Sequence, residues 1–163
     1  MNLVTKSLAI VSALFLLSAC DSAPGSSTSG KNGVGGVTGN GPHDGSAADL
    51  SQNVGDRVFF ETDSSSLTGE ATQTLNNQAS WLKQYGNVNV TVEGHCDERG
   101  TREYNLALGE RRANAAKKYL LGTGIAASRV STISYGKERP STVGSDEGAW
   151  SQNRRSVTVL TNQ

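Results

Sequence analysis

A strand pattern followed at once by a helix pattern, within residues 88–121, constrains the fold of this chain more than any other feature. Alternate residues of the strand pattern are valines separated by polar residues: Val88, Val90 and Val92. This period of two predicts a strand with one buried face, and the spacing of apolar residues from Tyr104 to Leu121 predicts a helix. The charged loop between them lies at the carboxyl end of the strand, where α/β folds place ligand sites.

One residue of the predicted helix does not suit an ordinary apolar face. At about 100° per residue, Arg112 lies one turn from Leu108 and one turn from Ala116, near the middle of the apolar stripe. An arginine is rarely buried without a partner, and Asp97 in the preceding loop is the obvious one. These two residues predict either a structural ion pair or a pair of charges at a cleft, placed to bind a ligand that carries both charges.

The first 19 residues have the pattern of a secretory signal. Lys6 precedes an apolar run from Leu8 to Leu17 that is short for a membrane span. The run ends in Leu-Ser-Ala-Cys, which resembles a bacterial lipobox. We therefore predict that residues 1–19 are removed and that Cys20 carries the lipid, with palmitate among its acyl chains. The alternative is an ordinary secretory signal that ends in cysteine.

Residues 20–49 predict a flexible tether. They are rich in Gly, Ser, Thr and Asn and contain almost no large apolar residue, so they cannot bury enough surface to become ordered. About 30 residues of this kind have a root-mean-square reach of roughly 30 Å. The tether would let a folded domain at residues 50–163 move away from the membrane that holds the lipid.

The charge balance, the cysteine count and the absence of known ligand motifs argue against nucleic-acid binding, a disulfide and a metal or cofactor site. Without the signal, which contains Lys6, the chain has 14 basic and 15 acidic side chains, and this balance argues against a nucleic-acid partner. Cys96 is the cysteine that remains after lipidation, so an intrachain disulfide is not expected. The sequence has neither zinc-like spacing nor a phosphate-binding loop, and we predict no metal and no cofactor.

The patterns along the domain predict the order βαβαβ(α)β. Strands are predicted at residues 57–60, 88–96, 129–135 and 156–160. Helices are predicted after Thr68 and Thr101, which are suitable N-caps, with a short helical turn near residues 147–152. Crossover helices make the strands that they connect parallel. We therefore expect an α+β fold (an α/β sandwich), in which a four-stranded mixed sheet carries helices on one face.

Four separated blocks of this sequence resemble the OmpA-like peptidoglycan-binding domain family. They span residues 94–101, 104–113, 134–140 and 153–155. The family's helix motif Asn-x-x-Leu-x-x-x-Arg-Ala falls on four residues: Asn105, Leu108, Arg112 and Ala113. The resemblance covers about residues 58–161 and is strongest to the peptidoglycan-associated lipoproteins of the family, since a lipobox and a tether precede the domain.

The resemblance implies a ligand and a set of contact residues. The ligand would be the meso-diaminopimelate of a peptidoglycan stem peptide, whose side chain ends in one ammonium and one carboxylate. By resemblance, Asp97 would accept from the ammonium and Arg112 would hold the carboxylate. Four further residues fall at contact positions: Asp63, Asn105, Thr62 and Cys96. Loop and cap hydrogen bonding is the alternative role for Asp63 and Asn105.

The resemblance also implies partners and a location. The protein would be an outer-membrane lipoprotein of the Tol–Pal system that joins the membrane to the wall, serves envelope integrity and cell division, and binds TolB at the same face. Asp21 resembles the inner-membrane retention signal of enteric bacteria, so that location stays open. An OmpA-like wall-binding lipoprotein outside the Tol–Pal system is a further alternative.

The run His95-Cys96-Asp97 suggests nucleophilic catalysis, but its geometry argues against it. Neighbours on a strand point to opposite faces, so His95 and Cys96 should not form a nucleophile–base pair. Cys96 has the parity of the buried valines, which indicates packing in the core. No paired acid and base can be assembled elsewhere. We therefore expect a protein that is not an enzyme and disfavour a wall-modifying activity.

Overall fold

In a computed structural model of the chain, residues 45–161 are described, and the predicted signal and most of the predicted tether lie outside them. The helices are α1 (Ala47–Asp49), α2 (Gly69–Gln84), α3 (Arg102–Gly122) and α4 (Glu147–Asn153). The strands are β1 (Arg57–Phe59), β2 (Val90–His95), β3 (Val130–Gly136) and β4 (Arg155–Leu160). A π-helical turn spans Leu50–Val54 and a 3₁₀ turn spans Ala127–Arg129. None of the helices in residues 45–161 is long and apolar enough to cross a membrane.

The four strands form one mixed sheet in the order β1-β4-β2-β3. β4 lies between β1 and β2 and is antiparallel to both, whereas β2 and β3 are parallel. The chain must cross over between β2 and β3, and α3 supplies that crossover. The predicted four-stranded mixed sheet is therefore confirmed.

The hydrophobic core lies between the sheet and helices α2 and α3. Its fully buried members include residues from β2 and from both helices: Val90, Val92, Leu75, Leu82 and Leu120. On the opposite face of the sheet, Phe59 and Ile133 remain about two-fifths exposed. The helices thus cover one face, as the sequence predicts.

Side-chain caps set where the helices begin. The hydroxyl of Thr68 accepts from the backbone N–H of Ala71 at the start of α2, and that of Thr101 accepts from Tyr104 at the start of α3. Both caps satisfy N–H groups that have no partner within the helix. The two predicted N-caps are confirmed, and the second one fixes the end of the charged loop after β2.

Two glycines bring α3 directly against β2. A β-carbon on Gly94 would overlap the carbonyl oxygen of Gly109, and one on Gly109 would overlap the hydroxyl of Ser134. Only glycine permits backbones to approach this closely. The contact fixes the height of α3 over the sheet, and with it the positions of Asn105 and Arg112, which lie one turn to either side of Gly109.

The folded part begins earlier than the sequence predicts. The sequence predicts that residues 45–49 belong to the tether, because they are small or polar, but the side chain of Asp49 is buried and accepts from the indole N–H of Trp81 at 2.7 Å. A buried Trp N–H needs a partner. The N-terminal segment supplies it, and this long-range bond is invisible in the local pattern.

Candidate functional site

A cavity of about 310 Å³ opens at the carboxyl end of β2. Its walls come from the loop after β1, the loop after β2 and the first turns of α3. All six predicted contact residues line it: Thr62, Asp63, Cys96, Asp97, Asn105 and Arg112. Arg99, Gly100, Tyr104 and Leu108 complete the lining. The structure therefore brings together residues from positions 62 to 112 in one cavity.

Arg112 is fully buried and holds the cavity walls together. Its guanidinium donates to the carbonyl oxygens of Ser64, His95 and Glu61 at 2.8, 2.9 and 3.1 Å. These three acceptors lie at the ends of β1 and β2, so one side chain of α3 joins both strand ends. Burial lowers the pKa of Arg112, yet an arginine pKa starts so high that the group stays cationic.

The direct ion pair between Arg112 and Asp97 that the sequence suggests does not form. Arg99 instead donates to both carboxylate oxygens of Asp97, from Nη2 at 2.7 Å and from Nε at 3.2 Å. Behind this pair, Nη1 of Arg154 lies 3.7 Å from Asp97. The two groups have other partners, because Arg112 donates to three backbone carbonyls and Arg99 binds the carboxylate of Asp97.

The electrostatics of the cavity favour an ionised Asp97. Its burial alone would raise the carboxyl pKa, but hydrogen bonds from the side chain and backbone of Arg99, together with the charge of Arg154, outweigh burial. The pKa of Asp97 therefore lies below its ordinary value. The carboxylate is charged at neutral pH and can accept from a cation.

The amide nitrogen of Asn105 and the thiol of Cys96 both donate to backbone carbonyls of the protein. The amide nitrogen of Asn105 donates to the carbonyl oxygens of Arg99 and Thr101 at 2.7 and 3.0 Å, which clamps the loop before α3. The buried thiol of Cys96 donates to the carbonyl oxygen of Asn105 at 3.3 Å. Burial raises the pKa of that thiol, so it is a packed side chain and not a reactive thiolate.

Asp63 and Thr62 lie at the rim, and both are exposed. Asp63 has φ of 54°, in the left-handed region, and is the one described non-glycine residue with positive φ. Aspartate tolerates this region better than most residues. The hydroxyl of Thr62 accepts a long hydrogen bond of 3.4 Å from Nη2 of Arg99. Thr62 thus contacts the same guanidinium that binds Asp97.

Three residues near Asp97 belong to the site although the sequence does not predict them there: Arg99, Trp150 and Arg154. Arg99 and Trp150 form a stack, with the guanidinium carbon 4.2 Å from the ring centroid, and the indole N–H donates to Glu98 at 3.1 Å. Arg154 is buried, donates to the carbonyl oxygen of Phe60 and pairs with Glu147. The block at residues 153–155 was the available signal, but nothing local indicated that it meets Asp97.

His95 lies outside the cavity, and its contacts differ from those of Cys96. Its Nε2 is 3.4 Å from a carboxylate oxygen of Glu93, and its ring packs on Tyr135 with centroids 5.6 Å apart. Burial, assisted by the charge of Arg155, lowers the pKa of His95 to about 4. His95 and Cys96 therefore do not form a nucleophile–base pair, as expected.

The described residues contain no group of three His, Cys, Asp or Glu side chains placed to hold a metal ion. The cavity instead combines two acidic groups, Asp63 and Asp97, with two guanidinium groups, Arg99 and Arg112. Tyr104 and Leu108 add an apolar wall. Such a site suits a ligand that carries both charges on a short aliphatic chain.

Residues 59–154 match the model of the OmpA family. The chain is 58% identical to the peptidoglycan-associated lipoprotein of Mesorhizobium japonicum over 131 residues, which are 80% of this chain and 75% of the relative. It is 43% identical to the Haemophilus influenzae protein of the same name over 157 residues, which are 96% of this chain and 98% of the relative.

Solved structures agree with this likeness. The peptidoglycan-associated lipoprotein of Burkholderia pseudomallei superposes with a TM-score of 0.65 at 36% identity, over 69% of this chain and all of that one. The C-terminal domain of Helicobacter pylori MotB reaches a TM-score of 0.62 at 20% identity, over 66% of this chain and 85% of that one, and shows the fold alone. The names of the relatives describe lipoproteins and not enzymes, which agrees with the expected absence of catalysis.

Proposed function

The chain belongs to the OmpA family, and from that membership we propose that it is an envelope lipoprotein that binds peptidoglycan non-covalently through the cavity at Asp97. One observation carries this proposal: a single cavity holds carboxylates and guanidinium groups together, at the carboxyl end of a strand. The matching ligand group is the end of a meso-diaminopimelate side chain, which has one ammonium and one carboxylate.

The two charges of that ligand would have separate partners. Asp97, aided by Asp63 at the rim, would accept from the ammonium. A guanidinium has five N–H donors, and three of those on Arg112 are used by backbone carbonyls, so two remain for the ligand carboxylate. Tyr104 and Leu108 would pack against the methylene chain between the stem peptide and the charges.

The contacts available set the strength of binding. Each charge-assisted hydrogen bond contributes about 1.5–3 kcal/mol net. A few of them at an open cavity support about micromolar affinity at most, which corresponds to about 8 kcal/mol. Such binding is reversible, and a polymer with many identical stem peptides compensates through high local concentration. No covalent step is required.

The N-terminal residues would connect this wall-binding domain to a membrane. Cys20 would carry the lipid, and more than one acyl chain would be needed for a stable anchor. The residues between Cys20 and Gly45 would act as the tether. We propose the outer membrane as the location, with the inner membrane as the alternative that Asp21 raises.

Sedimentation with purified diaminopimelate-containing sacculi tests wall binding. The full chain in detergent should pellet with the sacculi, and Asp97→Asn should leave most of it in the supernatant. Asp56→Asn is the matched control, because Asp56 pairs with Arg57 away from the cavity and should not affect pelleting. Equal pelleting of both variants would exclude Asp97 from the wall-binding site.

A role in the Tol–Pal system is a separate step of the proposal. Purified TolB should bind the full chain, and soluble stem peptide should compete if both ligands use the same face. Wall binding without TolB binding would instead favour an OmpA-like lipoprotein outside that system. Release of soluble fragments from sacculi would indicate a wall-modifying enzyme.

A further inference from the structure

The position beside Asp97 that a ligand ammonium would need is already occupied by Arg99. The guanidinium of Arg99 donates to both carboxylate oxygens, and the backbone N–H of Arg99 donates to the same carboxylate at 3.1 Å. A second cation cannot take the same lone pairs while the guanidinium stays. Arg99 uses three of the roughly four lone-pair sites of the carboxylate, and Arg154 lies beside the remaining oxygen lone pair. A ligand ammonium that binds Asp97 closely therefore competes with Arg99.

Arg99 is held in a way that permits this exchange. Its side chain is 39% exposed, whereas that of Arg154, the other arginine near Asp97, is 6% exposed. Besides Asp97, its side chain makes the long hydrogen bond to Thr62 and the stack on Trp150, and it feels the charges of Glu147 and Glu98. Arg99 can leave the carboxylate without disturbing the core, while Arg154 cannot.

A displaced Arg99 would stay close to the cavity. The ring of Trp150 lies under the guanidinium and can keep it near the opening after the bonds to Asp97 break. The freed guanidinium would then keep the charges of Glu98 and Glu147 near it but lack a hydrogen-bonded anionic partner. A ligand carboxylate next to the incoming ammonium can provide one, since a carboxylate can accept from Arg99 and Arg112 together.

We propose that Arg99 is an internal competitor for the Asp97 carboxylate, and that it makes the cavity selective for ligands that bring a carboxylate together with their ammonium. This inference rests on the proposed function. A lysine side chain ends in an ammonium alone, so a stem peptide that contains lysine displaces Arg99 but brings no carboxylate beside that ammonium to bind it. A stem peptide ending in diaminopimelate displaces Arg99 and binds it again. This exchange adds to the preference for a carboxylate that the remaining donors of Arg112 already give.

The expected size of the effect follows from the kind of ion pair. Partly exposed pairs contribute at most about 1 kcal/mol, so removing the competitor should change affinity by about fivefold. For the lysine peptide, loss of Arg99 removes competition only, and binding should tighten by this factor. For the diaminopimelate peptide, loss of competition and loss of the new partner should nearly cancel.

The test measures two affinities for each variant by titration calorimetry of the full chain in detergent. The probes are the tripeptides L-Ala-γ-D-Glu-meso-diaminopimelate and L-Ala-γ-D-Glu-L-Lys. Arg99→Ala should bind the lysine peptide about fivefold more tightly than the wild type does, and the preference for diaminopimelate should shrink by a similar factor. Arg99→Gln should behave alike, which covers the case in which one variant misfolds. Arg102→Ala removes an exposed arginine that pairs with Glu138, outside the cavity, and should change neither affinity.

If the lysine peptide binds Arg99→Ala and Arg99→Gln no more tightly than it binds the wild type, the proposal that Arg99 competes for Asp97 is wrong. The proposal is also wrong if the ratio of the two affinities, diaminopimelate peptide over lysine peptide, stays within about twofold of the wild-type ratio. The strength of the ion pair predicts a larger change. In both cases the proposed function would survive if the wild type binds the diaminopimelate peptide and Asp97→Asn does not. If neither the wild type nor the Arg99 variants bind either peptide, both proposals fail.

Discussion

Gly94 of β2 and Gly109 of α3 touch through their backbones, and no side chain fits between them. Gly94 lies three residues before Asp97, and Gly109 lies between Asn105 and Arg112 on the helix. The distance between strand and helix at this point therefore helps to set the distance between the carboxylate of Asp97 and the guanidinium of Arg112. The geometry of the binding cavity therefore depends on two residues that have no side chain.

Replacing Gly94 by alanine should destabilise the domain strongly. The added methyl group would overlap the carbonyl oxygen of Gly109, which is backbone and cannot rotate away. Overpacking of this kind costs about 1–3 kcal/mol and occasionally more, and we expect the upper end. Chemical denaturation measures the change. Gly122→Ala is the control in α3, because nothing lies within 4 Å of its β-carbon position, and it should be neutral or slightly stabilising. A Gly94→Ala domain as stable as the wild type would contradict the close contact.

Arg112 should contribute more to stability than Asp97 does. Arg112→Lys keeps the charge but cannot reach the three carbonyl oxygens with a planar fork, so buried acceptors lose their donor. We expect a loss of about 3 kcal/mol for Arg112→Lys and about 1 kcal/mol for Asp97→Asn. Arg111→Lys, at the exposed neighbouring position, should change the free energy of unfolding by less than about 0.5 kcal/mol. Equal stability of Arg112→Lys and Arg111→Lys would show that the three bonds are not needed.

Much of the fold could be predicted because it rests on local patterns. Alternation in β2, the N-caps Thr68 and Thr101, and the short helix α4 all leave signals within a few residues. The anomalous Arg112 was also visible, since its place on an apolar stripe does not depend on tertiary structure. Local chemistry thus indicates the cavity through Asp97 and Arg112, and the family resemblance implies the other predicted residues that line it.

The partners inside the cavity could not be predicted in the same way. One of the two predicted roles of Arg112 is an ion pair with Asp97, but Arg112 binds the carbonyl oxygens of residues 61, 64 and 95. Carbonyls belong to every residue, so they leave no mark in a sequence. Arg99 lies two residues from Asp97 and could have been suspected, whereas Arg154 reaches it only through the pairing of β4 with its neighbours.

The segment before Leu50 should stabilise the domain, although it looks like a tether. The carboxylate of Asp49 accepts from the indole of Trp81, the amide of Asn53 and the backbone N–H of Gly45. Asp49→Ala leaves the buried indole N–H without this partner and should cost about 1–3 kcal/mol. Thermal denaturation measures the loss. Asp146→Ala removes a cap at the exposed start of α4 and should cost only about 1 kcal/mol. If Asp49→Ala melts at the same temperature as the wild type, this segment does not stabilise the domain and belongs to the tether.

Buried His95 should make the domain less stable as the solution becomes mildly acidic. Its folded pKa of about 4 lies below the ordinary value of 6.5, so the unfolded chain binds the proton more readily than the folded one. The stability that neutral His95 provides is fully present above pH 6.5 and is lost as pH falls towards 4. Glu93 could pair with the protonated ring, but burial and the charges of Arg155, Arg139 and Arg57 oppose protonation.

Between pH 7 and pH 4.5 we expect a loss of about 2–3 kcal/mol in the free energy of unfolding. Asp97 hardly interferes in this window, because its contribution to stability is lost only as pH falls below its ordinary value of 3.8 towards its lowered folded pKa. Urea denaturation at the two pH values measures the loss. His95→Gln cannot take up the proton, so its stability should vary much less over the same range. If the wild type and His95→Gln lose stability equally, the pH dependence comes from other groups.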